Sequence, residues 1–427
     1  MPSFGMLDRD IHTDVLIIGG GIAGLLTAYE LKQRGVRCTV VEARKICGGV
    51  TGSTTAKITS QHGLIYAELI RRFGVERAKR YYEANEAAIA RYRELSRNIE
   101  CHFEERDAYV YSFGPIEELE AEVDAVQLIG GKAEFVTDTE LPFPVAGAVK
   151  FPHQAQFDPL KFLLPISLEL QIYENTEVTE LIGCTAVTPR GRIKADKIIV
   201  ATHFPYLNKH GSNFLKLYQE RSYVLAVEGA QKLNGMYIDA RKGGLSFRDF
   251  GDTLLLGIGG HRPGKPDGED YEFLEAFVRR HYPSAKEVTR WATQDCMTLD
   301  GIPYIGQYSA GTPDLFVATG FNKWGMTSAM VSSMILADLI EGKPNPYAET
   351  FSPSRSMLRP QLLANSVEAA ADILTPGGPR CPHMGCALHH NDTEHSWDCP
   401  CHGSRFAEDG TLLEGPATGN LKHPPRL

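Results

Sequence analysis

Short apolar runs alternate with amphipathic stretches along most of the chain. The apolar run at 15–18 predicts a buried strand, residues 22–33 have the pattern of a helix, and 37–41 predict a second strand. Residues 74–99 predict a long helix, whereas "SYVLAVEG" and "DTLLLGIG" are strand-like. This pattern predicts an α/β fold in which an α+β lobe accompanies the first domain.

Three glycines separate the first predicted strand from the first predicted helix. Gly19, Gly21 and Gly24 have G-x-G-x-x-G spacing, and the second strand ends on Glu42. The glycines allow a tight turn and close approach to a pyrophosphate, and the acid can accept ribose hydroxyls. The motif predicts a dinucleotide site but does not separate NAD from FAD. A later imitation at 254–264 has Arg262 where glycine is needed, so we expect one dinucleotide.

The length and net charge of the chain limit its domain number and the partners that it can bind. The 427 residues suffice for two or three domains, and the net charge of −9 argues against a nucleic-acid partner. No run reaches the length of a membrane span, because glycines or Asp338 interrupt the stretches 15–26 and 326–340. We therefore expect no membrane span and a cytoplasmic location.

Four of the nine cysteines crowd into 21 residues near the end of the chain. The two boxes are "CPHMGC" (381–386) and "CPCHGS" (399–404), so histidines accompany the thiols. Two thiolates and two imidazoles suit tetrahedral zinc. They equally suit a two-iron cluster with cysteines on one iron and histidines on the other. The spacing alone leaves both open.

Residues 12–342 resemble the FAD-dependent oxidoreductases of the D-amino-acid oxidase and glycine oxidase type. The resemblance lies in the glycine-rich unit, in "ARKICGGVTGSTTAKITSQHG", "IYENTEV" and "KIIVATH", and in the stretch 300–342. It implies a Rossmann-like FAD-binding domain with a mixed-sheet substrate domain. The FAD contacts that it implies are Gly19, Gly21, Ile22, Ala23, Gly24, Glu42, Ala43, Arg44, Thr51, Thr54, Thr55, Lys57, Val178, Thr202, Gly320, Lys323, Trp324, Gly325 and Met326.

The resemblance also implies local features of the nucleotide fold. A helix starting near Gly325 would point its N-terminus at the flavin pyrimidine, and Lys323 would add positive charge. Val178 would end the strand "IYENTEV" and contact adenine. The stretch before that strand is short and lacks the family's usual glycine, so the sequence does not predict the helix that precedes this strand in the family.

The chain between these motifs holds no recognisable catalytic constellation, and we assign no catalytic residue. Arg248, in "GLSFRDF", is a candidate for holding a substrate carboxylate. His62, Lys323 and Tyr223 are weaker candidates. The lack of a recognisable catalytic constellation fits the resemblance, because the flavin would perform the redox chemistry and the protein would position the substrate.

The tail resembles the Rieske [2Fe–2S] family from the first box through Trp397 to the second box. The resemblance implies that Cys381 and Cys399 bind one iron, that His383 and His402 bind the other, and that Cys386 and Cys401 form a disulfide. Phe406 replaces a tyrosine that donates to a ligand sulfur in high-potential members, which predicts a modest potential, whereas Ser404 is retained.

The predicted domains follow from these motifs. The FAD-binding domain takes 1–63, 145–205 and 294–345, and the substrate domain takes 64–144 and 206–293. A linker with a helix at 359–374 covers 346–376. A truncated, loop-rich, all-β Rieske module covers 377–427, and a module this short needs staples or docking to be stable.

A flavin takes two electrons together, whereas a [2Fe–2S] cluster moves one. Our leading hypothesis is an FAD-dependent amine or amino-acid dehydrogenase that passes electrons through the cluster to a one-electron carrier protein or another external acceptor. The resemblance implies that this carrier touches an exposed imidazole edge. Two alternatives remain: a reductase with reversed electron flow, and a non-catalytic electron-transfer or redox-sensing protein. The oligomeric state is not predicted.

Overall fold

The computed structural model describes residues 1–206, 213–265, 270–355 and 378–422. Its strands are β1 Ile11–Ile18, β2 Cys38–Val41, β3 Lys57–Ile58, β4 Glu104–Ser112, β5 Glu134–Val136, β6 Gly147–Gln156, β7 Ile172–Tyr173, β8 Glu180–Ile182, β9 Thr185–Thr188, β10 Gly191–Val200, β11 Leu217–Glu228, β12 Gly235–Asp239, β13 Ser246–Phe250, β14 Thr253–His261, β15 Lys286–Thr298, β16 Tyr304–Gln307, β17 Leu315–Thr319, β18 His389–Asn391, β19 Ser396–Asp398, β20 Arg405–Ala407 and β21 Leu412–Glu414. Its helices are α1 Ile22–Gln33, α2 Tyr66–Phe73, α3 Val75–Ser96, α4 Ile116–Leu128, α5 Pro159–Leu168, α6 Asn213–Lys216, α7 Tyr271–His281, α8 Gly325–Ile340 and α9 Ala348–Phe351.

The first sheet is a Rossmann-like core of five parallel strands, β17, β10, β1, β2 and β7, to which β16, β9 and β8 add antiparallel. Its strands run in the order β16-β17-β10-β1-β2-β7, and β8 and β9 extend it through β10. β1 pairs in parallel with β10 and β2, and β10 pairs in parallel with β17. Helices α1 and α8 pack together on this core. This topology confirms the predicted α/β class.

The predicted strand–turn–helix unit is confirmed at the front of the chain. α1 covers the predicted residues, and Gly19 has a φ of +115° that favours glycine. A Cβ at Gly24 would lie 2.0 Å from the Gly19 carbonyl oxygen, so only glycine allows the helix to begin this close to the turn. The sequence therefore specifies this turn through two glycines with separate tasks.

The second sheet carries nine strands in the order β15-β11-β14-β13-β12-β4-β6-β3, with β5 beside β6. It is mixed, because β12 pairs in parallel with β4 while the other pairs are antiparallel. β3 and β6 belong to this sheet, although the predicted boundaries group their residues with the FAD-binding segments. Those boundaries stay a prediction.

Two expectations near "IYENTEV" need correction. A helix does precede that stretch: α5 starts after Asp158, whose carboxylate accepts from the amides of Leu160 and Lys161. The strand itself is short, because β7 ends at Tyr173 and Asn175 has a positive φ of 49°. Val178 is thus a buried loop residue and not the end of a strand.

The tail forms a third, four-stranded sheet, in which β18, β19, β20 and β21 pair antiparallel in chain order. A small apolar cluster lies under it and includes Phe406, Leu388 and Leu421. This agrees with the predicted small all-β module. The helix predicted at 359–374 lies outside the described residues.

Among the helices that the structure describes, none is both long enough and apolar enough to cross a membrane.

We predict that Gly24→Ala lowers FAD retention and stability together. The added methyl would meet the Gly19 carbonyl at 2.0 Å, so the turn must open. The measurement is the FAD content of the purified protein and its urea midpoint. Gly311→Ala, in the loop between β16 and β17 and outside the predicted FAD contacts, is the matched control, because a Cβ there meets nothing within 4 Å. Equal FAD content in both variants would contradict the prediction.

Candidate active site and metal centre

The glycine-rich turn is held by two side chains from the following loop. Glu42 accepts a hydrogen bond from the Gly20 amide at 2.8 Å and one from the Arg44 amide at 2.9 Å. Thr51 Oγ1 accepts from the Ile22 amide at 3.0 Å, at the first turn of α1. Each carboxylate oxygen of Glu42 keeps a lone pair for a ribose hydroxyl. This turn therefore fits a dinucleotide in the predicted way.

The end of β10 closes against the same turn. A Cβ on Gly19 would meet Ala201 O at 2.5 Å and Thr202 Cα at 3.2 Å. The structure thus brings Thr202 to the glycine-rich turn, where the resemblance predicts a nucleotide contact. Arg44 Nη1 donates to the Leu413 carbonyl of the tail at 2.9 Å, and its contact with FAD stays a prediction. Ala43 beside it is exposed.

Lys57 and Arg248 concentrate positive charge beside the predicted cofactor loop. Lys57 Nζ lies 3.3 Å from Thr55 Oγ1, and no carboxylate among the described residues pairs with it. Burial and, next, the neighbouring Arg248 charge lower the pKa of Lys57 to about 7. A half-buried lysine without a counter-ion suits an anionic group of a bound molecule. The predicted Lys57 contact with FAD is compatible with this arrangement.

Arg248 needs a different role from the one considered for it. Its buried guanidinium donates to three backbone carbonyls: those of Thr55, Phe157 at 2.9 Å and Asp249 at 3.2 Å. Burial lowers the pKa of Arg248 to about 10. The fork that would hold a carboxylate is engaged with carbonyls, so Arg248 ties the Thr55 loop to β13 and does not offer its fork to a substrate.

His62 is likewise a satisfied interior residue. Its Nδ1 lies 2.6 Å from the Tyr81 hydroxyl, and its Nε2 lies 2.8 Å from the Thr59 carbonyl. The ring stacks on Trp324 with 4.7 Å between centroids and 14° between planes. Burial lowers the pKa of His62 to about 3, so the imidazole stays neutral. Its contribution is to position Trp324, one of the predicted flavin contacts.

A charged cluster faces the turn before α8. Lys323 Nζ lies 3.4 Å from Glu220 Oε2, and Lys242 Nζ lies 2.6 Å from Glu220 Oε1. Asp295 stands directly opposite Glu220 on the paired strand β15, and burial raises the pKa of Asp295 to about 6. Lys323 is therefore paired with an acid on β11. The cluster offers both charge signs to a zwitterionic or cationic molecule.

The remaining predicted contacts lie on the turn from β17 into α8. Gly320 has a φ of +71°, and a Cβ there would meet Thr298 Cγ2 at 2.3 Å. α8 begins at Gly325, as predicted, and the Met326 carbonyl accepts from the Tyr92 hydroxyl at 2.9 Å. Thr54 instead serves its own loop, accepting from the Ala56 amide. Tyr223 lies on β11 of the second sheet, and its ring centroid is 4.9 Å from that of Tyr271.

The two metal boxes of the tail are the same turn used twice. The amide of Cys381 donates to Cys386 O at 2.9 Å, and Gly385 donates to Cys381 O at 2.8 Å. In the second box Cys399 donates to Ser404 O at 2.8 Å, and Gly403 donates to Cys399 O at 2.9 Å. Both glycines have φ near +80°. Each closed turn presents a thiol and an imidazole together.

The four predicted ligands converge. The buried thiols of Cys381 and Cys399 are hydrogen-bonded, which lowers the pKa of Cys381 and raises that of Cys399. The rings of His383 and His402 lie 5.0 Å apart at 89°. A pair of thiols and a pair of imidazoles are the donor set of the asymmetric two-iron cluster.

The predicted disulfide is present between Cys386 and Cys401 and joins the two boxes. It sits beside Cys399, because the three sulfur atoms lie within 4.8 Å of one another. Ser404 donates to the Cys381 thiol, and its Oγ accepts from the Ala417 amide at 3.0 Å. Phe406 is fully buried and pairs across strands with Trp397. It therefore brings no hydroxyl to the cluster.

The expectation of an exposed imidazole edge is wrong for His402. This ring is buried, 5.9 Å from the ring of Phe204, just past the end of β10. His383 lies 6.5 Å from the same phenyl ring and is half-buried. Phe204 itself packs with Leu217 and Cys296 at the start of β11 and the end of β15. The histidine side of the metal centre thus faces the nucleotide fold.

Two glutamines of the second sheet donate hydrogen bonds to backbone carbonyls of the second box. Gln219 Nε2 donates to the His402 carbonyl at 2.6 Å, and Gln294 Nε2 donates to the Gly403 carbonyl at 2.7 Å. Gln294 Nε2 also donates to Gln219 Oε1 at 2.6 Å. A Cβ on Gly403 would lie 2.9 Å from both side chains.

A network of ion pairs also joins the tail to the second sheet. Arg221 of β11 binds the Glu394 carboxylate through Nε at 2.8 Å and also contacts Glu414 at 3.2 Å. Arg405 of the tail binds Glu394 at 2.9 Å and Asp398 at 3.0 Å. Both arginines are buried, so this contact is part of the interior and not a loose surface pairing.

The sequence reasoning missed Phe204, Gln219 and Gln294. Four consecutive polar residues, 219–222, occupy the middle of "YQERSY", which is unusual for a strand between two packed layers and was the available signal. The pattern does not say what those side chains touch, because their partners lie 100 residues or more away in the chain.

We predict that removing the disulfide destabilises the tail module selectively. The bond closes a loop of 15 residues, for which loop-closure entropy gives roughly 3 kcal/mol. In the double variant Cys386→Ala/Cys401→Ala, cluster absorbance should be lost on heating well before the flavin domain unfolds. Cys184→Ala, on the first sheet, is the control and should leave both transitions in place. Coincident transitions in the double variant would argue against the prediction.

We predict a stability change below neutral pH that originates at His62. Its folded pKa is about 3 and its unfolded value about 6.5, so the unfolded chain binds the extra proton between these pH values. Stability should fall as pH falls through that window. We expect a shallower slope of unfolding free energy against pH in His62→Gln, measured by urea titrations at pH 4 to 6. The decrease should correspond to the uptake of about one proton fewer on unfolding. The exposed His153→Gln is the control, and an unchanged slope in His62→Gln would refute this origin.

Comparison with known proteins identifies both halves of the chain. The family model described as "FAD dependent oxidoreductase" (DAO) matches residues 14–339, and "Rieske [2Fe-2S] domain" matches residues 374–425. The protein of Bacillus subtilis (strain 168) that carries the name Rieske 2Fe-2S iron-sulfur protein YhfW is 35% identical, over 99% of this chain and 95% of its own.

Other relatives share the larger part. Gamma-glutamylputrescine oxidoreductase of Escherichia coli (strain K12) is 23% identical over 79% of this chain and 86% of its own. The structure of L-proline dehydrogenase from P. horikoshii superposes with a TM-score of 0.67 at 20% identity, over 81% of this chain and 97% of that one. The first family model alone spans most of the chain. The chain therefore belongs to the FAD-dependent oxidoreductases of the DAO family and carries a C-terminal Rieske domain, with FAD and a [2Fe–2S] cluster as its cofactors.

Proposed function

We propose that this protein is an amine or amino-acid dehydrogenase that relays electrons from its substrate, through FAD and the Rieske cluster, to an external one-electron carrier. One observation carries the proposal most directly. The imidazole rings that hold the cluster pack on Phe204, two residues beyond the predicted nucleotide contact Thr202.

The pairing of cofactors favours a relay over a simple oxidase. An oxidase hands its electrons to oxygen and needs no cluster. FAD supplies two-electron chemistry and the cluster supplies one-electron transfer. Oxidation of an amine C–N bond to an imine releases two electrons and two protons, so two carrier molecules accept one electron each.

The charged cluster before α8 supports the substrate class. Glu220 and Asp295 supply negative charge for an ammonium group, and Lys323 supplies positive charge for a carboxylate. The relative named gamma-glutamylputrescine oxidoreductase points to the same class by its name. In this arrangement the chain binds and orients the substrate and excludes water, and Arg248 supports the Thr55 loop.

The residues for the cofactors follow from the geometry. Glu42, Thr51 and the glycine-rich turn would hold the nucleotide, and Trp324 and the start of α8 would hold the flavin end. Cys381 and Cys399 would hold one iron, and His383 and His402 the other. In the family's arrangement, the N-terminus of α8 favours negative charge on a bound group.

The test is anaerobic mixing of the purified holoprotein with a panel of amines and amino acids. We expect one class of substrate to bleach the flavin absorbance and then to produce the EPR signal of a reduced Rieske cluster. Cys399→Ser, which loses a cluster ligand, is the control and should bleach without that signal.

Two outcomes would contradict the proposal. Flavin bleaching that never reaches the cluster would sink the relay. A protein that no amine bleaches, but whose flavin is reduced through the cluster by a reduced carrier, would favour a reductase with reversed flow.

A further inference from the structure

The paired strands β11 and β15 have two functional faces. Arg221 and Gln294 stand directly opposite each other, and Gln219 shares their face because strand side chains alternate. This face holds the Rieske domain. Glu220 and Asp295, the next pair along, turn to the other face, where Glu220 meets Lys323. One pair of strands therefore lies between the proposed substrate side and the cluster side.

Gln219 and Gln294 hold the second metal box from the same face of the sheet. The carbonyls of His402 and Gly403 each receive a side-chain amide from this face, at 2.6 and 2.7 Å. Gln219 and Gln294 are both buried and bonded to each other, so their positions are fixed. The effect is to press the His402 ring toward Phe204 and not toward solvent.

Phe204 is held equally firmly from its own side. It packs with Leu217, Cys296 and Tyr304, which come from β11, β15 and β16. Its carbonyl accepts from the Thr202 hydroxyl at 3.1 Å. The ring thus stands between the imidazoles and the edge of the nucleotide fold.

We propose that the His402–Phe204 contact is the internal electron-transfer junction of this protein, and that Gln219 and Gln294 are the positioning residues that keep it closed without motion of the Rieske domain. The inference rests on the proposed relay but not on its direction or substrate. At the junction one electron leaves the reduced flavin and converts one ferric ion of the cluster to ferrous, or the reverse, and no bond to the chain forms or breaks.

The buried ion pairs make a swinging domain unfavourable. Moving the Rieske domain away from the second sheet would separate Arg221 from Glu394. It would also break the hydrogen bonds of Gln219 and Gln294 to the second box. Separating the partners of a buried ion pair is unfavourable, because each charge loses the partner that offsets its desolvation. The closed arrangement is therefore the working one in the proposal.

The experiment measures electron exchange between flavin and cluster without any substrate. The holoprotein is partly reduced by a light flash with 5-deazaflavin and EDTA, and the relaxation of the electron between flavin and cluster is followed by absorbance. We expect Gln219→Met/Gln294→Met and, separately, Phe204→Leu to slow this relaxation about tenfold or more, because slight misplacement of paired groups costs rate steeply. Flavin and cluster contents should stay as in the parent protein.

Matched controls separate the junction from general damage. Gln127→Met loses a side-chain bond to a carbonyl far from the cluster, and Phe247→Leu makes the same truncation in the core of the second sheet. Both should relax at the parent rate. An unchanged rate in the Phe204 and glutamine variants, with both cofactors retained, would overturn the proposal.

Solvent viscosity gives a second readout that needs no variant. A closed junction should relax at a rate independent of added glycerol, whereas a rate that falls in proportion to viscosity would show a moving domain and overturn the inference. Failure of every amine to bleach the flavin would refute the proposed substrate class alone, because the flash experiment reads the junction directly.

Discussion

The ion-pair network of Arg221, Glu394 and Arg405 is the interaction on which the rest of the structure depends. The tail module is too small to stabilise itself by burying apolar surface, and its own apolar cluster is limited. A buried arginine from the second sheet and one from the module share the Glu394 carboxylate. This arrangement leaves no buried charge unpaired, whereas loss of one partner would leave the others exposed to the full desolvation penalty. The module is thereby completed by its neighbour.

Strand register links the docking of the Rieske domain to the proposed substrate side. Gln219 and Arg221 contact the Rieske domain, and the intervening Glu220 contacts Lys323 on the opposite face. A slip of one residue between β11 and β15 would exchange the two faces. Both ends of the proposed relay therefore depend on the same antiparallel pairing, and a change that loosens it would disturb cluster and substrate side together.

The sequence predicts best where a local motif carries its own chemistry. Gly19 and Gly24 specify the first turn, and each metal box specifies its own closed loop, so these predictions required no tertiary information. The strand expected to end at Val178 and the carboxylate role considered for Arg248 were wrong because both depend on distant backbone: Asn175 ends the strand early, and Phe157 offers its carbonyl to the guanidinium. The role of Gln219 could not be predicted for the same reason, because a polar residue on a strand indicates a contact only once its partner is known.

The two predicted histidine ligands are not equivalent, and this asymmetry orders the proposed relay. His402 is buried with its carbonyl held by Gln219, whereas the turn of His383 carries the exposed residues Pro382 and Met384. In the proposed relay the buried His402 ring meets Phe204 most closely, and the more exposed turn of His383 is left for an outside protein. The internal and external transfers then need not compete for one surface, and the cluster can exchange electrons in both directions while the domain stays docked.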